Sequence, residues 1–266
     1  MKKILRYTSL AWQFILFRTK SLLEYRINFV IQLFHGPAYV GMMFGILSLA
    51  FDRAGELQGW TKMDGILLFL TFQFLYLLGI VIFLKGVRHF LWEGLRRGEL
   101  DMMLTKPINT QFIVTLSKPE IEQVPLLTAI FVLFVRHMWL MWDLFTFQSI
   151  ALFSISFLLG LVLMYLSSTT FMTLGFKMTR ATQIIELFDK SSDFAQYPTS
   201  LFPASIQWFA FAIIPVAFFG YVPVSFLLGK ELWWYLPAEI LLVLILTFIN
   251  QKAWKEGLKH YSSASS

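Results

Sequence analysis

The residues best suited to chemistry gather in one stretch, Lys85 to Lys118. It sets Lys85, Arg88, Arg96, Arg97, Lys106 and Lys118 against Glu93, Glu99 and Asp101. Cations and anions mixed in this way suit charge-paired docking of another molecule. Val87, Leu91 and Leu95 recur at a spacing of four, so one helical face can lie on an apolar surface while the charges face water. Gly98 interrupts the pattern, and Pro107 disfavours helix at Lys106. A charged, bent, amphipathic segment of this kind gives another protein something to push on.

Bond-making chemistry finds no comparable support. The histidines His35, His89, His137 and His260 are far apart and lack the spacing of metal ligands. There is no G-x-S-x-G elbow and no H-E-x-x-H helix. Gly229-Lys230 is followed by Glu231, so nothing matches a Gly-rich phosphate loop. The chain has no cysteine, which excludes disulfides, thiol catalysis and cysteine metal sites. Glu99 and Asp101 stand among basic groups, as on an ordinary charged face. No residue is assigned as catalytic or metal-binding.

The elements that must position the charged stretch are apolar. Of 266 residues 57% are hydrophobic and only 14% charged, against about 25% charged in soluble domains. Several uncharged runs reach the length of a membrane-crossing helix. The pattern predicts an all-α integral membrane protein with about six transmembrane helices, near 27–51, 65–84, 121–140, 149–176, 204–228 and 237–251. Residues 27–251 form one transmembrane domain. They lie between an N-terminal amphipathic helix, 1–26, and a tail, 252–266. Leu5, Trp12, Ile15, Leu16 and Leu23 can share one face of the first helix, which reads as lying on an anionic lipid surface. The start resembles a signal peptide, but Arg18 and Lys20 follow without a small-residue cleavage site, so it is expected to be retained.

Gly36-Pro37 should bend the first span, and His35 beside it reads as a partnered core residue. Glu120 and Glu122 suit a helix N-terminus. Ser167 to Thr170 supply small hydroxyl side chains for close helix packing. Residues 177–193 are amphipathic and too polar to face lipid. The following uncharged stretch, 194–229, holds Pro198, Pro203, Pro215 and Pro223. It is either a kinked span or a pair of half-helices that dips in and returns. Irregular backbone at membrane depth needs protein or water around it, so Pro198, Pro203, Gln207, Pro215 and Pro223 are candidates to border a translocation path. Glu239 reads as an acid near the opening of the last helix, favoured there by the dipole.

With six spans and both termini cytoplasmic, 18 of the 22 Lys and Arg residues fall on the inner side. Arg53, Lys62, Arg136 and Lys230 fall outside, a strong positive-inside bias. The basic excess of +6 is thus explained by topology and needs no nucleic acid.

The segment Gly98-Glu-Leu-Asp101-Met-Met-Leu104-Thr-Lys-Pro107 resembles the G-x-x-D-x-x-L-x-x-P signature after the second span of type 2 ATP-binding-cassette (ABC) exporter permeases. Tyr197-Pro198, Phe202-Pro203, Ile206-Gln207, Ile214-Pro215 and Tyr221-Val-Pro223 resemble the proline-marked region before the last span of the same permeases. The viologen-exporter subfamily is the nearest in pattern. The polar segment at 177–193 departs from the family, where the fifth span is usually more apolar. The resemblance implies a dimeric permease of a bacterial cytoplasmic membrane, paired with itself or a sister permease, and an exported substrate of hydrophobic or amphiphilic character. It implies a separate ABC-type ATPase subunit that holds the ATP and magnesium, so this chain binds no cofactor. It gives the coupling role to Arg88, Trp92, Glu93, Arg96, Arg97, Glu99 and Asp101. A stand-alone ion-coupled transporter or channel, which would need charge at mid-membrane, and a membrane scaffold are the competing readings.

Overall fold

A computed structural model describes residues 2–24, 26–176, 182–230 and 233–261. The described residues are almost wholly helical and form no β-strand. The chain is an all-α integral membrane protein. Among the described residues five helical runs are long and apolar enough to cross a membrane: Phe34–Ala54, Lys62–Gly94, Ile121–Leu140, Phe147–Leu174 and Tyr235–His260.

The helices run in chain order as α1 (Lys2–Glu24), α2 (Arg26–Ala54), α3 (Lys62–Gly79) and α4 (Lys85–His89). A π-helical turn, Ile80–Leu84, joins α3 to α4, and a second, Phe90–Gly94, follows α4. Next come α5 (Glu99–Leu104), α6 (Thr110–Leu116), α7 (Val124–Leu140) and α8 (Phe147–Leu174). The last are α9 (Thr182–Ser192), α10 (Ala204–Trp208), α11 (Tyr221–Leu227) and α12 (Tyr235–His260). Thr61 caps α3 in a reciprocal box with Asp64, and Thr146 caps α8 in the same way with Ser149. Pro125 lies in the first turn of α7, where its missing N–H costs nothing.

The run from α3 to the second π turn is the central post. Leu67, Leu68, Leu75, Leu84 and Val87 are fully buried. Leu75, Leu84 and Val87 cluster with α8 residues Leu163, Met164 and Met172 and with Phe218 and Phe219, and Leu67 and Leu68 cluster with Val40, Ile130, Phe134 and Phe153. In a bilayer such contacts gain little from water exclusion, because lipid is as apolar as Leu; close packing and buried hydrogen bonds hold helices together. Asn250 of α12 shows both. Its Nδ2 donates to Thr169 Oγ1 at 2.8 Å and Thr170 Oγ1 at 3.2 Å, and its Oδ1 accepts from Gln111 Nε2 at 2.8 Å. α2 stays helical through Pro37. His35 is exposed, so it is not the partnered core residue that its position suggests.

The stretch at 204–228, expected as one span, is broken. It comprises α10, a π turn at Phe209–Ile213, a 3-10 turn at Val216–Phe219 and α11. Pro203, Pro215 and Pro223 each lack an N–H, and Ile214 before Pro215 is extended as a pre-proline residue should be. The segment doubles back. Phe211 stacks on Tyr235 at the start of α12, and the Phe218 carbonyl then reaches Gly160 near the middle of α8. At the far end Lys230 returns to Gly59 and Asp64 at the start of α3.

The polar stretch at 177–193 is described from Thr182 onward. Residues 177–181 lie outside the described residues. α9 packs on α8 through buried Ile184, Ile185 and Phe188. On its polar side Asp189 is bonded to Arg88 and Tyr76, while Gln183, Glu186 and Lys190 are exposed. Two 3-10 turns, Asp193–Gln196 and Thr199–Leu201, carry the chain onward from it.

Candidate functional site

The candidate site is the bent piece from α4 to α6. α4 and the π turn after it present Arg88, Trp92 and Glu93; Arg96 and Arg97 follow in a turn. Gly98 closes that turn with φ of +67°, a left-handed conformation that favours glycine. α5 then folds back, and α6 packs on α4. There Gly86 permits the closest approach: a Cβ on it would stand 2.2 Å from the Thr115 carbonyl oxygen.

The structure divides the seven predicted coupling residues into two groups. Trp92, Glu93, Arg96 and Arg97 line an open polar cleft of about 530 Å³ with Thr182 and Glu186 of α9. Trp92 is 46% exposed, and Arg97 keeps 66% of its side chain exposed while pairing with Glu93 at 3.0 Å. Arg88 and Glu99 turn inward. Arg88 Nη2 donates to Asp189 Oδ1 at 2.9 Å and to Tyr76 Oη at 2.8 Å, and its Nε donates to Asp189 Oδ2 at 3.2 Å. Tyr76 Oη donates in turn to Asp189 Oδ1 at 3.0 Å. Arg88 is one helical turn from Trp92 and Asp189 about one turn from Glu186, so this triad sits just behind the cleft. Arg88 is thus a strut between α4 and α9 and not a surface charge.

Glu99 accepts from His89 Nε2 at 3.0 Å and from Lys118 Nζ at 3.2 Å, and Lys118 also lies against His89. Partial burial favours the protonated acid, but the bonds and charges of His89 and Lys118 outweigh it and hold the Glu99 pKa below its ordinary 4.5. The cluster ties α5 to α4 and to the end of α6. Asp101 is half-buried on α5.

Around this piece the structure adds pairs that residue spacing did not reveal. Glu122 accepts from Arg18 of α1 at 2.5 Å, and Glu120 from Lys85 at 2.8 Å. These acids bind partners from other elements, beyond the helix-start role assigned to them. Tyr7 Oη accepts from the Asn109 N–H at 3.2 Å. α1 is thereby fixed to both ends of the α6 corner, while Leu5, Trp12 and Phe17 stay exposed.

The proline-marked residues do not converge on one open path. Pro198, Pro215 and Pro223 are buried in protein, and Pro203 is exposed. Gln207 Nε2 donates to the Phe202 carbonyl at 2.9 Å and lines a recess with Trp208, Phe211, Trp234 and Tyr235. Glu239 corrects a second expectation. Because α12 begins at Tyr235, Glu239 lies past its first turn, fully buried, accepting from Ser156 Oγ of α8 at 2.8 Å. The helix-start dipole does not account for it. Its sequence signal was the placement of an acid inside a span.

A multi-pass helical membrane protein, with a charged bent segment after its second crossing and a proline-broken hairpin before its last, is built as a transport component. The sequence model of the ABC-2 family transporter protein family matches residues 38–265. The chain belongs to that family, and is a membrane-embedded permease component of an ABC transporter. No curated protein and no solved structure matches it.

Proposed function

We propose that this permease is driven by a separate cytoplasmic ABC-type ATPase that docks on the cleft formed by Trp92, Glu93, Arg96, Arg97, Thr182 and Glu186, and that it exports a hydrophobic or amphiphilic substrate. The observation that carries the reading is the division of the coupling segment. Its outward charges have exposed capacity for a partner, and its inward ones are fixed to the transmembrane helices. A push on the cleft therefore meets a braced lever: Arg88 hands it to α9 through Asp189, and the Glu99 cluster keeps α5 from folding away. Trp92 is placed to act as an anchor at the contact.

In this reading both termini are cytoplasmic, the membrane is a bacterial cytoplasmic one, and the permease works as a homodimer or with a sister permease. The fifth crossing is α9 with its two 3-10 turns, and the hairpin from α10 to α11 dips in from the opposite side and returns. That supplies the crossing lost when 204–228 is not one helix. The half-buried Arg88 and Asp189 and the buried Glu239 favour a second reading, an ion-coupled transporter acting alone.

Purification of the tagged protein from its native host, with mass spectrometry of co-purifying chains, separates the two. The expected result is a stoichiometric soluble ATPase, lost on Arg96→Glu with Arg97→Glu. A protein that runs without an ATPase, under conditions that keep other membrane complexes whole, overturns the docking reading.

A further inference from the structure

Away from the docking face, α2 and α7 lean over α3 and leave a lateral groove of about 500 Å³. Pro37, Gly41 and Phe44 form one wall, Ile66 and Leu70 the floor, and Leu133 part of the other wall. The size is that of a small-molecule site. At Gly41 the groove is open enough that a Cβ would meet nothing within 4 Å. The spans beside it are little covered by protein: 11% of the α2 stretch and 17% of the α7 stretch are buried, against 67% for the central post.

One cation stands at the groove's end. Arg136 is exposed near the C-terminal end of α7 and makes no ion pair with the described residues. Its neighbour His137 is buried, with Nε2 at 2.9 Å from the Met63 carbonyl oxygen, which pins this end of α7 to the start of α3. Arg136 also borders a second apolar channel of about 390 Å³, along the outer side of α7 between Phe131, Val132, Val135 and Trp139. Two apolar channels therefore meet at one guanidinium.

We infer that this is a binding site for an anionic phospholipid, with one acyl chain in the α2–α7 groove, the other along the outer strip, and the phosphate on Arg136. A cation that cannot find a carboxylate in the protein is satisfied by a headgroup anion, and its planar fork matches phosphate oxygens. The occupant is a bilayer lipid because both channels open sideways, toward the hydrocarbon. The exposed Trp139 and Trp142 near Arg136 mark the level at which headgroups lie. The site is independent of the docking reading.

The test is native mass spectrometry of the delipidated, intact protein titrated with phosphatidylglycerol and with phosphatidylcholine of equal chain length. The wild type should prefer phosphatidylglycerol. Arg136→Gln should weaken that lipid about fivefold, the effect of one interfacial cation, and leave phosphatidylcholine unchanged. Gly41→Leu fills the groove and should weaken both lipids about tenfold. If Gly41→Leu does not fold, which its elution profile and melting temperature report, Arg136→Gln alone carries the test. Unchanged phosphatidylglycerol binding in Arg136→Gln overturns the proposal. So does a photo-crosslinker at Ala129 that captures a second copy of the chain instead of lipid.

Discussion

Arg88 and Arg97 belong to one charged segment and meet opposite circumstances. Arg88 is enclosed and fully engaged, with two bonds to Asp189 and one to Tyr76. Arg97 is exposed, and its ion pair is to Glu93 on its own helical turn. An exposed pair at that spacing contributes about 0.3–0.5 kcal/mol. Spacing within the segment treats the two arginines alike. What separates them is a carboxylate on α9, a hundred residues away, which no local pattern announces. The outward face can therefore change its partner without disturbing the fold, whereas the inward face cannot change without moving α9.

The strongest way to break this contrast is Arg88→Ala. It leaves Asp189 half-buried with the Tyr76 hydroxyl but without its cation, and it should cost about 3 kcal/mol, at the low end for a broken buried pair because Asp189 keeps partial exposure. A fall in melting temperature in detergent measures it. Arg88→Ala combined with Asp189→Ala should cost less than the two single losses added together. Additive losses would remove the strut. Next in size is Gly86→Val, whose side chain must displace the Thr115 carbonyl. A loss of about 1–3 kcal/mol is expected, with Gly86→Ala milder but of the same sign.

On the outward face, Arg96→Glu with Arg97→Glu should shift stability by no more than about 1 kcal/mol, the lost Glu93 pair plus a like-charge repulsion of similar size. The same variant should lose ATPase capture. A large drop in its melting temperature would mean that the two faces are not separable. The smallest effect concerns pH. Because the folded state holds the Glu99 pKa below its ordinary value, this carboxylate adds stability at neutral pH and loses it as pH falls through the folded-state value. The advantage of the wild type over Glu99→Gln should therefore shrink below about pH 5 in a thermal melt series. An advantage that grows on acidification would show that His89 and Lys118 do not favour the charged form.

Much of the scaffold was legible because its signals are local. Uncharged runs marked the long helices, and Gly98 the turn. The amphipathic α1 could be read from its spacing. Asp189 illustrates what was not. On α9 it looks like one more charge on a solvated helix, and only the approach of α4 makes it structural. Glu120 and Glu122 were read for the helix they precede, although their cations come from α4 and α1. The hairpin was left open between two forms because proline shows where a helix breaks and not which way the chain then turns. Arg136 was counted for topology, and nothing in its neighbours showed that two apolar channels would meet there.

The two π turns around α4 have a consequence for length. Each closes i to i+5 bonds and holds one residue more than a regular helical turn would need. They therefore act as phase shifts in an otherwise continuous rod. Every side chain beyond such a turn is rotated by about 100°, the angle of one helical residue, from where an unbroken helix of the same sequence would put it. Deleting a single residue from Ile80–Leu84 would close that turn as regular helix, remove none of the charges and leave the side chains beyond it near their present phase. A residue removed from the regular helix just before it has no such slack, and its loss would carry Arg88 off Asp189 and turn Trp92, Glu93 and Arg96 away from the cleft together. The two faces are distinguished by angular register as much as by composition, and a one-residue change in count within the regular helix would exchange what each of them meets.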